Sequence, residues 1–282
     1  MTRIFGVIGH PISHSLSPVM HTAALRAMRL DALYAPFEVP PKYLKPMLRG
    51  LVLAGIEGLN VTVPLKEAAM PLLDRVDPTA RAIGAVNMIV IRHRRTTGYN
   101  TDGVGFVQAL RELGWRGGST QAVILGAGGA ARAVAWELSR APGSCLTIAN
   151  RHVARARRLV HWLSRWRPRA CLRAVTLDAV TLDEIHLLVN ATSVGMHAGD
   201  RTPIRPARLH RDLLVYDVVY HRETELVRAA RRRGCVAANG LSMLLYQGVE
   251  SLRLWLHRQP PIPIMHRALV RAVESGRRQV ES

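Results

Sequence analysis

The sequence predicts an α/β fold made of two domains, and three observations support this prediction. At 282 residues, the chain is longer than a single hydrophobic core commonly fills. Short apolar segments alternate with helical patterns, which is typical of β-α-β units with a mainly parallel sheet. The alternation starts again at Gln121, so a second sheet is expected from that point.

The elements follow in order along the chain. The first part has predicted strands over 4–9, 31–39 and 58–63 with helical patterns between them. The second part has a strand at 121–126, a glycine turn, an alanine-rich helix from 130 to about 140, a strand at 145–150, a basic helix, and strands at 187–190 and 213–219. The last fifty residues return to helix, with apolar residues at helical spacing at Leu241, Leu244, Leu245, Val249, Leu252 and Trp255. We therefore predict a first domain over 1–104 and 239–282, interrupted by a second domain over 105–238.

Composition narrows the class of protein. A hydrophobic fraction of 48% is ample for buried cores. The sequence has no apolar run long enough to span a membrane and no leader pattern, so a soluble protein that binds no membrane is expected. Cys145, Cys171 and Cys235 are far apart and form no CxxC pair. We expect three free buried thiols, no disulfide or zinc site, and a cytoplasmic location.

The net charge of +19 and the pI near 11.3 suggest an anionic partner such as nucleic acid. Only Lys42, Lys45 and Lys66 are lysines, however, so almost all of the basic charge is arginine. The arginines are scattered through helical segments, with few aromatic residues among them for base stacking. The interpretation favoured here is a solvated basic surface with no specific nucleic-acid partner.

A glycine-rich turn stands between a predicted strand and helix. It consists of Gly126, Ala127, Gly128, Gly129 and Ala130. Glycine there permits a tight turn and lets backbone N–H groups approach a pyrophosphate at the helix N-terminus. Alone, the turn is equally compatible with an ordinary strand-to-helix connection. In this context it predicts a dinucleotide site.

The next strand indicates which dinucleotide would bind. An NAD enzyme usually has an acidic residue about twenty residues after the turn. This chain has Asn150 and Arg151 there, with Arg155 one helical turn later. Guanidinium groups form strong bidentate bonds with phosphate, so the pattern favours the 2′-phosphate of NADP. The alternative is that both arginines belong to the general arginine excess.

Candidate substrate residues lie in the first domain. Ser15 and Ser17 can converge on a carboxylate, although an N-cap serine followed by Pro18 is the simpler interpretation of that segment. Thr62 ends a predicted strand, and Lys66 begins a helix. A cation at a helix N-terminus opposes the macrodipole, so its position calls for another reason. Asn87 and Asp102 lie in predicted loops, where Asp102 alone would suggest a turn or cap.

Nine sequence blocks together resemble the shikimate dehydrogenase family over essentially the whole chain. They are HPISHSLSPVMH, NVTVPLK, GAVN, NTDGVG, GAGGAAR, NR, NATSVGM, YDVVY and NGLSMLLYQG. The resemblance implies a split substrate domain, an inserted Rossmann-like NADP-binding domain, and an active site in the cleft. It also implies NADPH-dependent reduction of 3-dehydroshikimate to shikimate, a step of aromatic amino acid biosynthesis, by a monomer or homodimer.

The family's roles transfer motif by motif. The resemblance implies that Lys66 and Asp102 are the catalytic pair, with no metal. It implies substrate binding by Ser15, Ser17, Thr62, Asn87, Asp102, Tyr220 and Gln247. It implies cofactor binding by the glycine turn (126–130), Asn150, Arg151 and Arg155, with Val218 and Gly240 near the nicotinamide.

Departures from the family's pattern leave two alternatives open. The chain has His152 and Met88 where members often have threonine, Arg222 where they often have proline, and no Thr-Gly after Trp255. A paralogue that acts on quinate or aminoshikimate, including one that uses NAD, is the closer alternative. A basic nucleic-acid-binding protein on an old enzyme scaffold is the other, and the intact Lys66, Asp102 and Gln247 argue against it.

Overall fold

The structure is a computed structural model, and it describes residues 2–197 and 199–281, without the side chains of 277–281. The chain divides into two compact units, Met1–Gly105 with Leu244–Ser282, and Phe106–Met243. Both boundaries fall inside helices, α5 (Asp102–Glu112) and α9 (Leu241–Leu256), instead of in loops.

In chain order, the other elements of the first unit are β1 (Arg3–Gly9), α1 (Ser17–Ala27), β2 (Ala32–Glu38), α2 (Leu44–Leu53), β3 (Gly58–Val61), α3 (Lys66–Ala69), β4 (Arg75–Val76), α4 (Pro78–Ile83), β5 (Met88–Arg92), β6 (Arg95–Tyr99) and α10 (Ile262–Glu281). Those of the second unit are β7 (Gln121–Leu125), α6 (Gly129–Leu138), β8 (Cys145–Ala149), α7 (Val153–Ser164), β9 (Cys171–Val175), β10 (Leu187–Asn190), β11 (Leu214–Asp217), α8 (Glu225–Arg232) and β12 (Val236–Ala238).

The sheet of the first unit is mixed, with the order β2-β1-β3-β5-β6-β4. β1 pairs in parallel with β2 and β3, as the β-α-β pattern predicts, whereas β5 is antiparallel to both β3 and β6. The β5–β6 hairpin turns at His93 and Arg94, which have φ of 50° and 59°. Two positive φ values suit the right-handed twist of a tight hairpin. Without an Asn-Gly or Gly-Gly pair there, the sequence did not predict the hairpin.

The core of the first unit lies under this sheet and includes Leu59, Val61 and Ile89, all almost fully buried. Trp255 of α9 donates from Nε1 to the carbonyl of Ile89 at 3.0 Å. A Cβ at Gly58 would lie 2.3 Å from that indole nitrogen, so glycine makes room for the tryptophan. The C-terminal helix α9 is thereby fixed against the N-terminal sheet.

The sheet of the second unit is wholly parallel, with the order β12-β11-β10-β7-β8-β9. Starting from β9, this is the doubly wound arrangement, in which the order of adding strands reverses between β7 and β10 while all strands stay parallel. Ligands of such sheets bind beyond the carboxyl ends of the strands at that reversal. The predicted Rossmann-like architecture is confirmed.

The cysteines differ from the prediction. Cys145 and Cys171 form a disulfide, with their Cα atoms 4.5 Å apart, whereas Cys235 is free and buried. The two cysteines occupy paired positions on the neighbouring strands β8 and β9. The expectation of three free thiols and no disulfide is therefore wrong, because a separation of 26 residues does not reveal strand pairing.

None of the helices in the described part of the chain is long and apolar enough to cross a membrane.

Candidate active site

Lys66 and Asp102 form an ion pair in the first unit. Lys66 Nζ donates to Asp102 Oδ2 at 2.5 Å, and the two side chains are 14% and 6% exposed. Each residue is the first of its helix, α3 and α5 respectively. The positive end of the α5 dipole stabilises the Asp102 carboxylate. The positive end of the α3 dipole destabilises the Lys66 ammonium, and the carboxylate offsets this effect.

Asn87 fixes the other oxygen of this carboxylate. Its Nδ2 donates to Asp102 Oδ1 at 2.8 Å and to Thr101 Oγ1 at 3.0 Å, and its Oδ1 accepts from the Thr101 N–H at 2.7 Å. Asp102 N–H in turn donates to Asn100 Oδ1 at 3.1 Å. Asp102 therefore has a set orientation, and it is not the lone turn residue that its sequence position suggests.

A buried polar network continues behind Asn87. Gln247 of α9 accepts from Asn87 Nδ2 at 3.4 Å. Asn60 Nδ2 donates to Ser251 Oγ at 3.0 Å, and Tyr34 donates to Asn60 Oδ1 at 2.8 Å. The structure thus brings together four of the predicted site residues, namely Lys66, Asn87, Asp102 and Gln247. No sequence motif predicts that Tyr34 and Ser251 support this network.

The two serines lie where β1 leads into α1. Ser17 N–H donates to Ser15 Oγ at 3.3 Å, and Ser17 is buried. Helix α1 begins at Ser17 after Leu16, with no side-chain cap and with Pro18 in its first turn. Ser15 therefore accepts from the first backbone N–H of α1, as the N-cap interpretation expects of a serine, although the residue directly before the helix is Leu16.

Thr62 follows β3 directly and is half-buried. Its N–H donates to the carbonyl of Ile8 at 2.9 Å, which ties it to the end of β1. A Cβ at Gly9 would lie 2.5 Å from Thr62 Cγ2. The carboxyl ends of β1 and β3 therefore meet at this threonine.

The glycine turn of the second unit contains two glycines with different requirements. Gly126 has φ of 113°, and a Cβ there would lie 2.6 Å from the carbonyl oxygen of Ala191. A Cβ at Gly128 would meet no atom within 4 Å. The fold therefore requires Gly126, whereas Gly128 leaves open space where α6 begins. Open space beside the backbone N–H groups of a helix N-terminus fits a pyrophosphate.

The end of β8 carries the predicted phosphate ligands. Asn150 Oδ1 accepts from the His152 N–H at 2.9 Å, and α7 begins at the next residue. Arg151 and Arg155 are exposed. No carboxylate stands among the residues of this turn, so the side chains fit a 2′-phosphate better than a ribose hydroxyl pair.

A buried aspartate of the block YDVVY connects the loops that follow β10 and β11, where the strand order reverses. Asp217 ends β11 and accepts from Asn190 Nδ2 at 3.0 Å, Val219 N–H at 3.1 Å and Thr224 Oγ1 at 2.7 Å. Asn190 Nδ2 also donates to the carbonyl of Val194 at 3.0 Å. Burial raises the pKa of Asp217, and these hydrogen bonds oppose the rise.

Val218 and Gly240 lie side by side. The Val218 N–H donates to the Asn190 carbonyl at 2.9 Å, and a Cβ at Gly240 would lie 2.2 Å from the Val218 carbonyl oxygen. Tyr220 belongs to the same unit and meets His221 edge to face, with ring centroids 5.9 Å apart. The cofactor and substrate roles of these three residues remain predictions.

The second unit has the sheet order and the glycine turn of a dinucleotide-binding α/β protein, and the first unit has a lysine–carboxylate pair suited to proton transfer. Comparison with known proteins makes the class specific. Residues 7–89 match the shikimate dehydrogenase substrate binding domain, and residues 240–270 match the shikimate 5′-dehydrogenase C-terminal domain. The chain belongs to the shikimate dehydrogenase family.

Individual relatives agree with this membership. A shikimate dehydrogenase (NADP(+)) of Symbiobacterium thermophilum is 44% identical, with 96% of this chain and 95% of the relative covered. A crystal structure of a shikimate dehydrogenase in complex with NADP+ has 38% identity and a TM-score of 0.91, with 96% of each chain covered. The Thermus thermophilus enzyme in complex with NADP(H) and shikimate has 38% identity and a TM-score of 0.86, covering 96% of this chain and all of that one.

The fold is also shared with a different activity. A quinate dehydrogenase from Corynebacterium glutamicum in complex with NAD is 32% identical, with a TM-score of 0.86, covering 95% of this chain and 99% of that one. The fold alone therefore does not choose between the two substrates.

Proposed function

We propose that this chain catalyses the reversible NADP-dependent reduction of 3-dehydroshikimate to shikimate, in the pathway to aromatic amino acids. The observation that carries the proposal is the buried Lys66–Asp102 pair, with Asn87 bonded to the same carboxylate. The name shared by the curated relatives supports the choice of reaction and cofactor.

The proton is the step that this chain's residues manage. In the reducing direction, the Lys66 ammonium donates a proton to the oxygen of the ring carbonyl as that oxygen gains negative charge. Asp102 orients Nζ, and it accepts a hydrogen bond from the hydroxyl once that hydroxyl has formed. In the oxidising direction, the hydroxyl returns its proton to Nζ. The burial of the pair limits exchange of that proton with water.

The remaining substrate contacts are proposed from the motifs. Ser15, Ser17 and Tyr220 bind the carboxylate, and Thr62, Asn87 and Gln247 bind the ring hydroxyls. The amide groups of Asn87 and Gln247 are already held by bonds within the unit, so they meet the hydroxyls in a fixed orientation. Fixed polar groups lose little entropy on binding.

Bound NADP supplies the hydride chemistry. The turn 126–130 provides backbone N–H groups for the pyrophosphate, while Asn150, Arg151 and Arg155 bind the adenosine 2′-phosphate. Val218 and Gly240 line the nicotinamide side of the site. The open space at Gly128 supports this arrangement, since a side chain is sterically allowed there but absent.

We place the enzyme in the cytoplasm as a monomer or homodimer, with no membrane and no specific nucleic-acid partner. The support for the location is a biosynthetic reaction that draws on the cellular NADPH supply. The argument from three free thiols no longer contributes, because Cys145 and Cys171 are bonded.

A spectrophotometric panel tests the proposal. Purified enzyme is assayed with shikimate, quinate and aminoshikimate, each with NADP and with NAD. The expected result is the highest kcat/KM for shikimate with NADP. An equal or higher kcat/KM for quinate with NAD would contradict the proposal and would instead give this chain the activity named for the Corynebacterium relative.

A further inference from the structure

The basic charge is concentrated in one part of the second unit, and it is less evenly scattered than the sequence interpretation assumed. Between residues 113 and 177 the sequence has eleven arginines and one acidic residue, Glu137. That glutamate is already paired with Arg140 at 3.1 Å. Helix α7 itself contains no acidic residue. Self-repulsion among these cations favours an anionic partner.

Part of this charge surrounds a cavity. A groove of about 450 Å³ is lined by Arg132 from α6 and by four residues of α7. The four are Arg157, Arg158, His161 and Trp162. Their spacing of one, four and five residues places them on one side of the helix. A volume of this size lies within the range of small-molecule sites, and no carboxylate is among the lining residues.

Trp162 contacts one arginine that lines the groove, Arg132, and one beside it, Arg165. The Arg132 guanidinium carbon lies 5.8 Å from the Trp162 ring centroid, and that of Arg165 lies 6.0 Å from it. Both distances are those of cation–π contacts. The indole therefore holds guanidinium groups and is not a free platform for a ligand's base. Recognition in this groove depends on anionic groups, for which several guanidiniums offer bidentate bonds.

We propose that the groove between α6 and α7 is a binding site for an oligophosphate, separate from the predicted cofactor ligands Arg151 and Arg155. The ligand is recognised by a chain of at least two phosphates that ends in a free terminal phosphate, whether it is an inorganic oligophosphate or the phosphate tail of a nucleotide. A single phosphate engages too few of Arg132, Arg157 and Arg158 to bind tightly.

Tripolyphosphate is the probe, and the full-length protein is titrated by calorimetry at near-physiological salt without NADP. The expected result is saturable binding of one equivalent, with inorganic monophosphate at least tenfold weaker. ATP should bind within about threefold of tripolyphosphate, because its base adds nothing. Binding of ATP without binding of tripolyphosphate would mean that a base is recognised, and it would contradict the proposal.

Matched double variants locate the site. Arg157→Ala/Arg158→Ala should raise the Kd for tripolyphosphate at least tenfold, since two charge-assisted contacts are lost. Arg205→Ala/Arg233→Ala removes the same charge from exposed positions of the same unit and should change the Kd less than threefold. Equal losses in both variants would show a diffuse charge effect and overturn the proposal.

Two further measurements separate this site from the active site. Arg151→Ala should leave tripolyphosphate binding intact, and saturating NADP should not compete with it. Loss of binding in Arg151→Ala, or one-for-one competition by NADP, would place the anion at the cofactor site instead and end the proposal. The KM for NADP in Arg157→Ala/Arg158→Ala should stay within about twofold of the native value, so failure of either proposal is visible independently.

Discussion

Lys66 and Asp102 each begin a helix, and their side chains meet at 2.5 Å, 36 residues apart in sequence. The helix N-terminus favours the carboxylate and disfavours the ammonium, so the pair combines one favourable and one unfavourable placement. Among the described residues, the contact with Asp102 is the ion pair that compensates the lysine. The position of Lys66 is therefore explained by a role in the active site, because a cation at this position does not stabilise α3.

Replacing Lys66 by alanine tests its role in proton transfer. We expect kcat to fall by about 10²–10⁴-fold, the usual contribution of a positioned acid–base group. The KM for shikimate should change much less, because the proposed carboxylate and hydroxyl ligands remain. Steady-state kinetics on the folded variant measures both. A raised KM with an intact kcat would make Lys66 a binding cation instead.

Asp102→Asn should lower kcat and raise the KM for shikimate together, because the carboxylate both orients Lys66 and binds a hydroxyl. The double variant with Lys66→Ala should lose far less than the product of the two single losses, as residues that act as one unit do. Independent, multiplicative losses in kcat/KM would show that the two residues act separately.

Arg151→Ala should weaken NADP and spare NAD, since only NADP carries the 2′-phosphate. The loss of a charge-assisted contact corresponds to about 1.5–3 kcal/mol of NADP binding. The KM values for both cofactors measure the effect, with Arg169→Ala as an exposed control on the same unit. Equal losses with NADP and NAD would assign Arg151 to the fold or to the pyrophosphate.

His21 should make the free energy of unfolding of the first unit fall at acidic pH. Burial lowers its pKa from 6.5 to about 4, outweighing the hydrogen bond between its Nδ1 and the Ser17 carbonyl. The unfolded chain therefore binds a proton that the folded chain excludes. The stability from this residue is complete above pH 6.5 and is lost as the pH falls toward 4, by about 3 kcal/mol.

His21→Phe keeps a ring against Tyr34, with which His21 stacks at 4.2 Å, and it removes the titration. Urea unfolding at several pH values between 7 and 4 should therefore show a flatter decline than in the native protein. His266→Phe, at an exposed position of α10, should keep the native slope. Identical slopes for all three proteins would rule out His21 as the source.

Asp217→Asn should lower the free energy of unfolding by about 1–3 kcal/mol, the cost of mismatched buried hydrogen bonds. The substitution replaces one acceptor oxygen by an NH₂ group that faces donors from Asn190, Val219 or Thr224. Chemical denaturation measures the loss, with exposed Asp212→Asn as the control. A change no larger than that of the control would show that the loops do not depend on Asp217.

The sequence blocks locate Lys66, Asp102 and the glycine turn beside strand ends, where the structure also has them, while their catalytic and cofactor roles stay predictions. The carboxyl ends of parallel strands share one edge of a sheet, so side chains there converge whatever their separation in sequence. What escapes prediction depends on pairings that no local pattern encodes. The β5–β6 hairpin turns at two residues with side chains, and the Cys145–Cys171 bond requires the register of β8 against β9. The hydrogen bonds that link Tyr34, Asn60 and Ser251 likewise join distant segments. Asn60 and Ser251 are 191 residues apart in the sequence.

Gly128 and Gly240 differ in whether the fold tolerates a side chain at their positions. A Cβ at position 240 would collide with the Val218 backbone at 2.2 Å, while one at position 128 would meet nothing within 4 Å. A library selected only for folded protein should thus retain Gly240 and drift at position 128. Under selection for NADP turnover both should be retained. The difference between the two selections would distinguish a glycine that is retained because the fold needs it from a glycine that is retained because cofactor binding needs it.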